Sequence, residues 1–315
     1  MRVFEGSESV DDDTRGCVLT VGNFDGLHLG HQALISAVTE RARELGRPAG
    51  LYTFDPHPRR VLYPERAPRQ LMIWEQVQGG IEERGIDRLI REPFTREFAA
   101  YSADEFLSEV IHKRIAPCEI FVGRDFHFGK DRSGSGEMLA RLAPDLGIRV
   151  GIIAQVRYQD RDVSSSRIRE LIAEGAVEEA AGCLGHIYAI RGTVVTGDRR
   201  GRTLGFPTAN LEPDNELIPA NGVYATRVRL LDAPGAGAEH DAVTNVGTRP
   251  TFEPGRVLTE AHLLDFEGDL YGQRIELRFL RRIRDELRFS GPDELKEQIA
   301  KDASRVREIL GADRT

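Results

Sequence analysis

The sequence predicts two dissimilar domains. The first is an α/β domain on a mostly parallel, doubly wound sheet; the second is an antiparallel barrel or sandwich closed by a C-terminal helix. Three observations carry this expectation. The chain has 315 residues, about twice the size of a usual single domain. Strand-like and helix-like segments alternate in its first half, the pattern of crossover units. Beyond residue 185, strands follow one another without helices between them.

The run Val-Leu-Thr-Val at 18–21 is a short apolar strand that enters a glycine-punctuated turn. Leu34, Val38, Ala42 and Leu45 then recur at helical spacing, and Gly46 stands where that helix stops. Residues 51–54 make a second strand, broken by Asp55-Pro56-His57-Pro58. A helical stretch, a strand at 88–90, a helix at 103–114 and strands at 120–122 and 150–153 complete the sheet. Residues 167–184 read as helical with an interruption at Gly175, so the domains are placed at 1–184 and 185–315. The second domain is expected to hold strands at 187–195, 222–231, 242–246, 261–266 and 275–279, with a hairpin loop at 234–238. Ser290-Gly291-Pro292-Asp293 opens a last helix whose apolar side is Leu295, Ile299, Val306 and Ile309.

Composition narrows the class of function. With 40% hydrophobic and 30% charged residues the chain is an ordinary globular protein rather than a disordered one. A net charge of −8 argues against general nucleic-acid binding, which wants a basic stripe. A local pocket can still hold a small phosphate ligand. Cys17, Cys118 and Cys183 are widely spaced, which excludes a disulfide framework or a cysteine zinc site and suits a reducing cytoplasm. Residues 1–13 are acidic without an apolar run, so no signal peptide is expected. No 18 apolar residues run together, so no membrane helix is expected either.

The densest motif is Gly22-Asn23-Phe24-Asp25-Gly26-Leu27-His28-Leu29-Gly30-His31, between the first strand and the first helix. Backbone N–H groups and the helix dipole favour an anion there. Gly30 would let a phosphate approach the backbone, and imidazoles at this spacing can donate to phosphate oxygens as charge builds. The same pair is equally consistent with two histidines that simply cap a helix. Two further loops, Asp55-Pro56-His57-Pro58 and residues 123–130, follow strands and leave the same sheet edge, where ligands bind. The second of these is not a Walker A loop: five residues separate Gly123 from Gly129, and Asp131 follows Lys130.

Ser164, Ser165 and Ser166 precede a helix carrying Arg167 and Arg169, a set of hydroxyls and guanidiniums that suits a triphosphate or, alternatively, a plain serine cap. Residues 196–210 hold three glycines and three arginines, enough to wrap phosphates or to form a surface hairpin. Thr208 and Asn210 offer the hard oxygen ligands that Mg²⁺ accepts beside nucleotide phosphates. Glu260, in a strand-like segment, is either a general base or an outward-facing charge.

With these segments in view, the chain resembles the bacterial bifunctional riboflavin kinase/FMN adenylyltransferase (FAD synthetase) family over nearly its whole length. GNFDGLHLGH, TFDPHP, PFTREFA, VGRDFHFG, SSSRIR, GRTLGFPTAN, NGVYA, NVGTRPT and the EAHLLDF-to-DLYG stretch carry the resemblance. It implies an N-terminal Rossmann-like nucleotidylyltransferase domain and a C-terminal flavokinase-type barrel. It also implies two reactions: riboflavin and ATP give FMN and ADP, then FMN and a second ATP give FAD and pyrophosphate.

In the adenylyltransferase site the resemblance makes His28 and His31 catalytic contacts to ATP phosphates. Gly22, Phe24, Asp25, Gly30, Asp125, Ser164, Ser165 and Arg169 would complete that nucleotide site. In the kinase site Gly197, Gly201, Arg202, Gly205, Pro207, Thr208 and Asn210 would bind ATP. Thr208 and Asn210 would hold Mg²⁺, Glu260 would be the base, and Phe206, Tyr224 and Glu260 would meet the flavin. Two departures stand out: no lysine lies between Arg69 and Arg84, where Trp74 sits, and Ser166 replaces a usual threonine. Rival readings are a monofunctional transferase with a degenerate second half and a flavin or nucleotide sensor without catalysis.

Overall fold

Short strands, several of them apolar runs, form a parallel sheet, in which strands covered on both faces need no polar alternation. These are β1 (Arg2–Glu5), β2 (Val18–Val21), β3 (Ala49–Asp55), β4 (Arg88–Pro93) and β5 (Glu119–Gly123). A minimal hairpin of β6 (His127–Phe128) and β7 (Gly134–Ser135) precedes β8 (Arg149–Ile153), and a second one, β9 (Arg157–Tyr158) with β10 (Arg161–Asp162), follows it. The sheet runs β1-β4-β3-β2-β5-β8 with every neighbouring pair parallel. All four residues of β2 are buried. Strand β1 lies outside the sequence expectation: its two apolar residues, Val3 and Phe4, are too short a signal, and pairing with β4 from Arg2↔Arg88 to Glu5↔Arg91 defines it.

The helices are α1 (Leu29–Leu45), α2 (Pro58–Leu62), α3 (Trp74–Glu83), α4 (Ala103–Glu105), α5 (Gly136–Leu142), α6 (Ser165–Glu174) and α7 (Val177–Leu184). Helix α1 buries Leu34, Ile35, Val38 and Ala42, and each large side chain so buried contributes about 1.5–3 kcal/mol. It stops at Gly46, whose φ of 60° places it in the left-handed region. Helix α4 starts at a capping box between Ser102 and Glu105 and continues as the π-helical turns Phe106–Ile115. That helix drives Phe106, Leu107, Val110 and Ile111 into the core beneath β2 and β5.

The computed structural model describes residues 1–196, 206–232, 235–248 and 257–312. Contacts divide the chain into two units, Met1–Arg69 with Trp74–Ser164, and Gln70–Ile73 with Ser165–Thr315. Helices α6 and α7, read from the sequence as the end of the first domain, thus fall in the second unit. Segment 70–73 joins it because Gln70 N–H donates to Glu216 and Asn215 Nδ2 donates to Leu71 O.

The second unit is a closed antiparallel barrel of β11 (Ala189–Val195), β12 (Ala209–Pro213), β13 (Gly222–Leu230), β14 (Glu239–Thr248), β15 (Val257–Leu263) and β16 (Arg274–Arg284). Its order is β11-β12-β15-β14-β13-β16, and β16 closes onto β11. Strand β12 was not expected, since an asparagine, a glutamate and a terminal proline read as loop; pairing on both sides makes it a strand. Strand β15 ends at Leu263 rather than running to 266, because Leu264 N–H turns to Asp241 O and Asp265 takes a φ of 55°.

Helix α8 (Pro292–Ala312) covers the barrel with Ala303, Val306, Ile309 and Leu310 packed against Val223, Ala225 and Val243. Asp302 on this helix is buried and accepts from Arg284 Nη2 at 2.7 Å. Elsewhere on the barrel, burial pushes the Glu276 carboxyl up, but Arg191 and Arg278 together pull it below its ordinary value. No helix among the described residues is long and apolar enough to cross a membrane.

Candidate active sites

The loops after β3, β2 and β5 leave the carboxyl ends of three adjacent parallel strands, the edge at which open α/β sheets bind ligands. In the β2–α1 loop, Leu27 holds a φ of 42° with its side chain fully buried, a strained conformation for a bulky residue. Its carbonyl accepts from Gln32 Nε2 at 2.8 Å, which locks the corner. The corner delivers His28 as the N-cap of α1, with Nδ1 accepting from the His31 backbone N–H at 3.3 Å. Since Nδ1 accepts, the proton of a neutral His28 ring belongs on Nε2, a donor beside a helix N-terminus.

His31 stacks on His28 with ring centroids 3.6 Å apart and 16° between planes. A Cβ at Gly30 would lie 3.2 Å from His28 Cε1 and Nδ1, so the absent side chain is what leaves this face open. Burial, and then the neighbouring His28, hold the His31 imidazole well below its ordinary pKa, so the ring is neutral near pH 7. His31 Nδ1 is buried and has no hydrogen-bond partner among the described residues. Buried polar atoms without partners are rare in native structures and call for a ligand or a role.

Phe24, expected among the ATP contacts, is buried, and its ring lies 5.0 Å from that of His31. Gly22 faces it: a Cβ there would touch the Phe24 ring at 3.6 Å. Asp25 is half-buried on the same loop. Asp125 is exposed on the loop after β5, and its carbonyl lies 2.8 Å from His127 Nδ1. Ser164 is the last residue of the first unit, whereas Ser165 and Arg169 stand on α6 in the second. At the Trp74 departure, the Arg91 guanidinium lies 4.4 Å over the indole and its Nε donates to Asp55 at 2.8 Å. A cation is therefore present at that loop although the lysine is not.

The second site lies on the barrel, where a cavity of about 350 Å³ is lined by Pro207, Thr208, Asn210, Leu263, Glu267 and Tyr271 among others. Asn210 on β12 pairs across the ladder with Glu260 on β15, which pairs in turn with Asn245 on β14. Direct cross-strand partners project from the same face, so these three polar side chains form a row. Asn210 is 6% exposed, and its Oδ1 has no hydrogen-bond partner among the described residues. A buried oxygen in want of a partner, close in sequence to the Thr208 hydroxyl, fits the donor type that Mg²⁺ takes together with phosphates and water. Among the described residues no three His, Cys, Asp or Glu side chains gather as a metal centre.

Phe206 is half-buried and meets His262 edge-on at 5.3 Å. Tyr224, expected to meet the flavin, lies on β13 of the barrel. It is fully buried, sits T-shaped on Phe279 at 5.3 Å and donates its hydroxyl to Ala220 O at 2.5 Å. Apolar packing and a short backbone hydrogen bond occupy both ends of that side chain. Gly197, Gly201, Arg202 and Gly205 lie outside the described residues. Asn245, Glu267 and Tyr271 escaped the residue-level reading, although each stands in a segment that carried the resemblance.

Comparison with known proteins agrees with this division. The FAD synthetase family model matches residues 10–167 and the riboflavin kinase model residues 184–310. The bifunctional riboflavin kinase/FMN adenylyltransferase of Escherichia coli (strain K12) is 38% identical, over 94% of this chain and 93% of that one. That of Haemophilus influenzae is 35% identical, over 99% and 100%. That of Bacillus subtilis is 35% identical, over 93% and 92%. A solved structure described as a macrolide-efflux protein from Streptococcus pneumoniae has a TM-score of 0.87 at 30% identity, covering 98% of this chain and 99% of that one. Both domain models fall on one chain in this order, and the three relatives are covered over at least 92% of their length. The chain therefore belongs to the bifunctional riboflavin kinase/FMN adenylyltransferase family.

Proposed function

We propose that this chain makes FMN from riboflavin and ATP in domain 185–315, then FAD and pyrophosphate from FMN and a second ATP in domain 1–184. The observation that carries the reading is the presence in one chain of two polar sites with buried atoms in want of a ligand. One is the His28–His31 pair at the start of α1, and the other is the Asn210–Glu260 row beside the barrel cavity.

In the kinase step Glu260 accepts the proton of the ribityl 5′-hydroxyl as its oxygen attacks the γ-phosphorus, and ADP leaves. Thr208 and Asn210 would hold Mg²⁺, which when bound neutralises phosphate charge. Pro207 and Phe206 flank the nucleotide and flavin. Gly197, Gly201, Arg202 and Gly205 belong to the reading on their sequence pattern alone. In the adenylyl transfer the FMN phosphate attacks the α-phosphorus and the bond to pyrophosphate breaks. This nucleophile is already anionic and needs no protein base. His28 Nε2–H, a neutral His31 and the N–H groups opening α1 stabilise the charge that develops. Asp25, Asp125, Ser164, Ser165 and Arg169 seat the nucleotide, with Gly22 and Gly30 leaving it room. No disulfide joins Cys17, Cys118 and Cys183, as suits reactions in a reducing cytoplasm.

Purified protein incubated with riboflavin, ATP and Mg²⁺ and followed by flavin chromatography tests this. FMN is expected to appear before FAD, and FMN supplied alone with ATP is expected to give FAD directly. Tight flavin binding without ATP consumption would establish the sensor reading instead.

A further inference from the structure

The helix that bears Ser165 and Arg169 is held at its far end by the barrel. Its last carbonyl, Glu174 O, accepts from Arg282 Nη1 at 3.1 Å, and Ile172 O accepts from the Ala220 N–H at 3.2 Å. A helix C-terminus leaves such carbonyls without intrahelical donors, and a cation there also meets the negative end of the helix dipole. Arg282 is itself tied on several sides. Nη2 donates to Asn221 O at 2.8 Å and pairs with Asp285 at 3.0 Å, while its backbone N–H reaches Glu178 on α7 at 3.4 Å.

Gly175 completes the seat. Its φ is 79°, and a Cβ there would lie 2.8 Å from the Tyr224 hydroxyl and 3.1 Å from Arg282 Cζ. Only glycine lets the α6–α7 turn rest on these two side chains. Arg167, buried on α6, pairs with Glu179 on α7 at 2.8 Å, so the two helices form one body on this seat.

The aim of Arg282 comes from the barrel. It faces Tyr224 across the β13–β16 ladder, and the register shifts on both sides of that pair, between Val223 and Tyr224 and between Ala225 and Thr226. Such bulges re-aim side chains at a sheet rim. Asn210 and Glu260 lie on other strands, β12 and β15.

We propose that Arg282 is a positioning residue for adenylyl transfer: a guanidinium of the kinase barrel fixes α6 and, through it, Ser165 and Arg169. The proposal rests on the reading above in which those two residues seat the nucleotide for FAD formation. None of the motifs that carry the resemblance contains Arg282, and it stands on neither of the strands that bear Asn210 and Glu260.

The test measures kcat and KM for both reactions in the full chain carrying Arg282→Met, Arg282→Lys or Arg169→Ala. Arg282→Met keeps most of the apolar stem and removes the guanidinium. Its FMN adenylylation kcat/KM is expected to fall about 10–100-fold, the size of one charged hydrogen bond. Riboflavin phosphorylation on the same polypeptide should keep its wild-type kcat and KM, and Arg282→Lys should recover part of the loss. Equal losses of both activities with a lowered Tm would make Arg282 a structural residue only and overturn the proposal. Wild-type adenylylation in Arg282→Met alongside a large loss in Arg169→Ala would overturn the proposal and leave the reading of α6 intact. Wild-type adenylylation in Arg169→Ala would overturn that reading and the proposal with it.

Discussion

The imidazoles of His28 and His31 lie nearly parallel with centroids 3.6 Å apart, at the mouth of α1. Two rings so close resist double protonation, and burial together with the neighbouring His28 holds His31 neutral. In the proposed adenylyl transfer the pair would meet an anionic nucleotide as hydrogen-bonding dipoles arranged in advance, at the positive end of a helix.

Replacing His31 with Gln or His28 with Ala should lower FAD formation from FMN about 10²–10³-fold, the usual consequence of deleting one donor to developing charge. Riboflavin phosphorylation should be unchanged, since its residues lie on the barrel. Assaying both reactions on each variant checks this, and FAD formation at the wild-type rate in the double variant would remove the assignment.

The His31 shift also has a sign for stability. A histidine whose folded pKa is depressed costs nothing when neutral in both states; below the ordinary value of 6.5 the unfolded chain binds a proton that the folded chain refuses. The unfolded state then holds more protons, so stability falls as pH drops below about 6.5. Denaturant midpoints between pH 7.5 and 5 should decline in the wild type and decline less in His31→Gln.

At the barrel, Asn210→Leu should separate activity from stability. Kinase turnover should collapse as a phosphate-side ligand is lost, while Tm holds or rises, because an orphaned buried acceptor disappears with little change of volume. Glu260→Gln should reduce FMN formation about 10²–10⁴-fold as the general base is lost. In both variants FAD formation from supplied FMN is the control expected to persist.

Asp302→Ala leaves Arg284 without its carboxylate beside the apolar contacts of α8. Breaking a buried pair on one side costs about 3 kcal/mol or more, so urea unfolding of the second unit should shift to a lower midpoint. Riboflavin binding to the remaining folded protein should be unaffected.

Much of the architecture was legible because it rests on local chemistry. The apolar runs of β2, β3 and β5, the Leu34–Val38–Ala42 stripe and the Gly46 stop each express one face or one terminus of an element. The loop from Gly22 to His31 was legible as a candidate site for the same reason, since its glycines, histidines and helix start are neighbours in the chain. Strands β1 and β12 were not, because four or five residues of mixed polarity become a strand only through partners far away in sequence. The contacts of Tyr224 with Phe279 and Ala220 were likewise not legible, since those partners are set by the barrel and its loops.

The sequence by itself determined the two domain types, their order and the family, since recurring motifs and hydrophobic periods are properties of the chain. Only the tertiary structure decided that α6 and α7 sit with the barrel, that Asn245 joins Asn210 and Glu260 in one row, and that Arg282 caps the helix of Arg169. Those relations link residues 15 to more than 100 positions apart. Register shifts, buried orphan atoms and helix-end carbonyls set them, and these exist only once the backbone has closed.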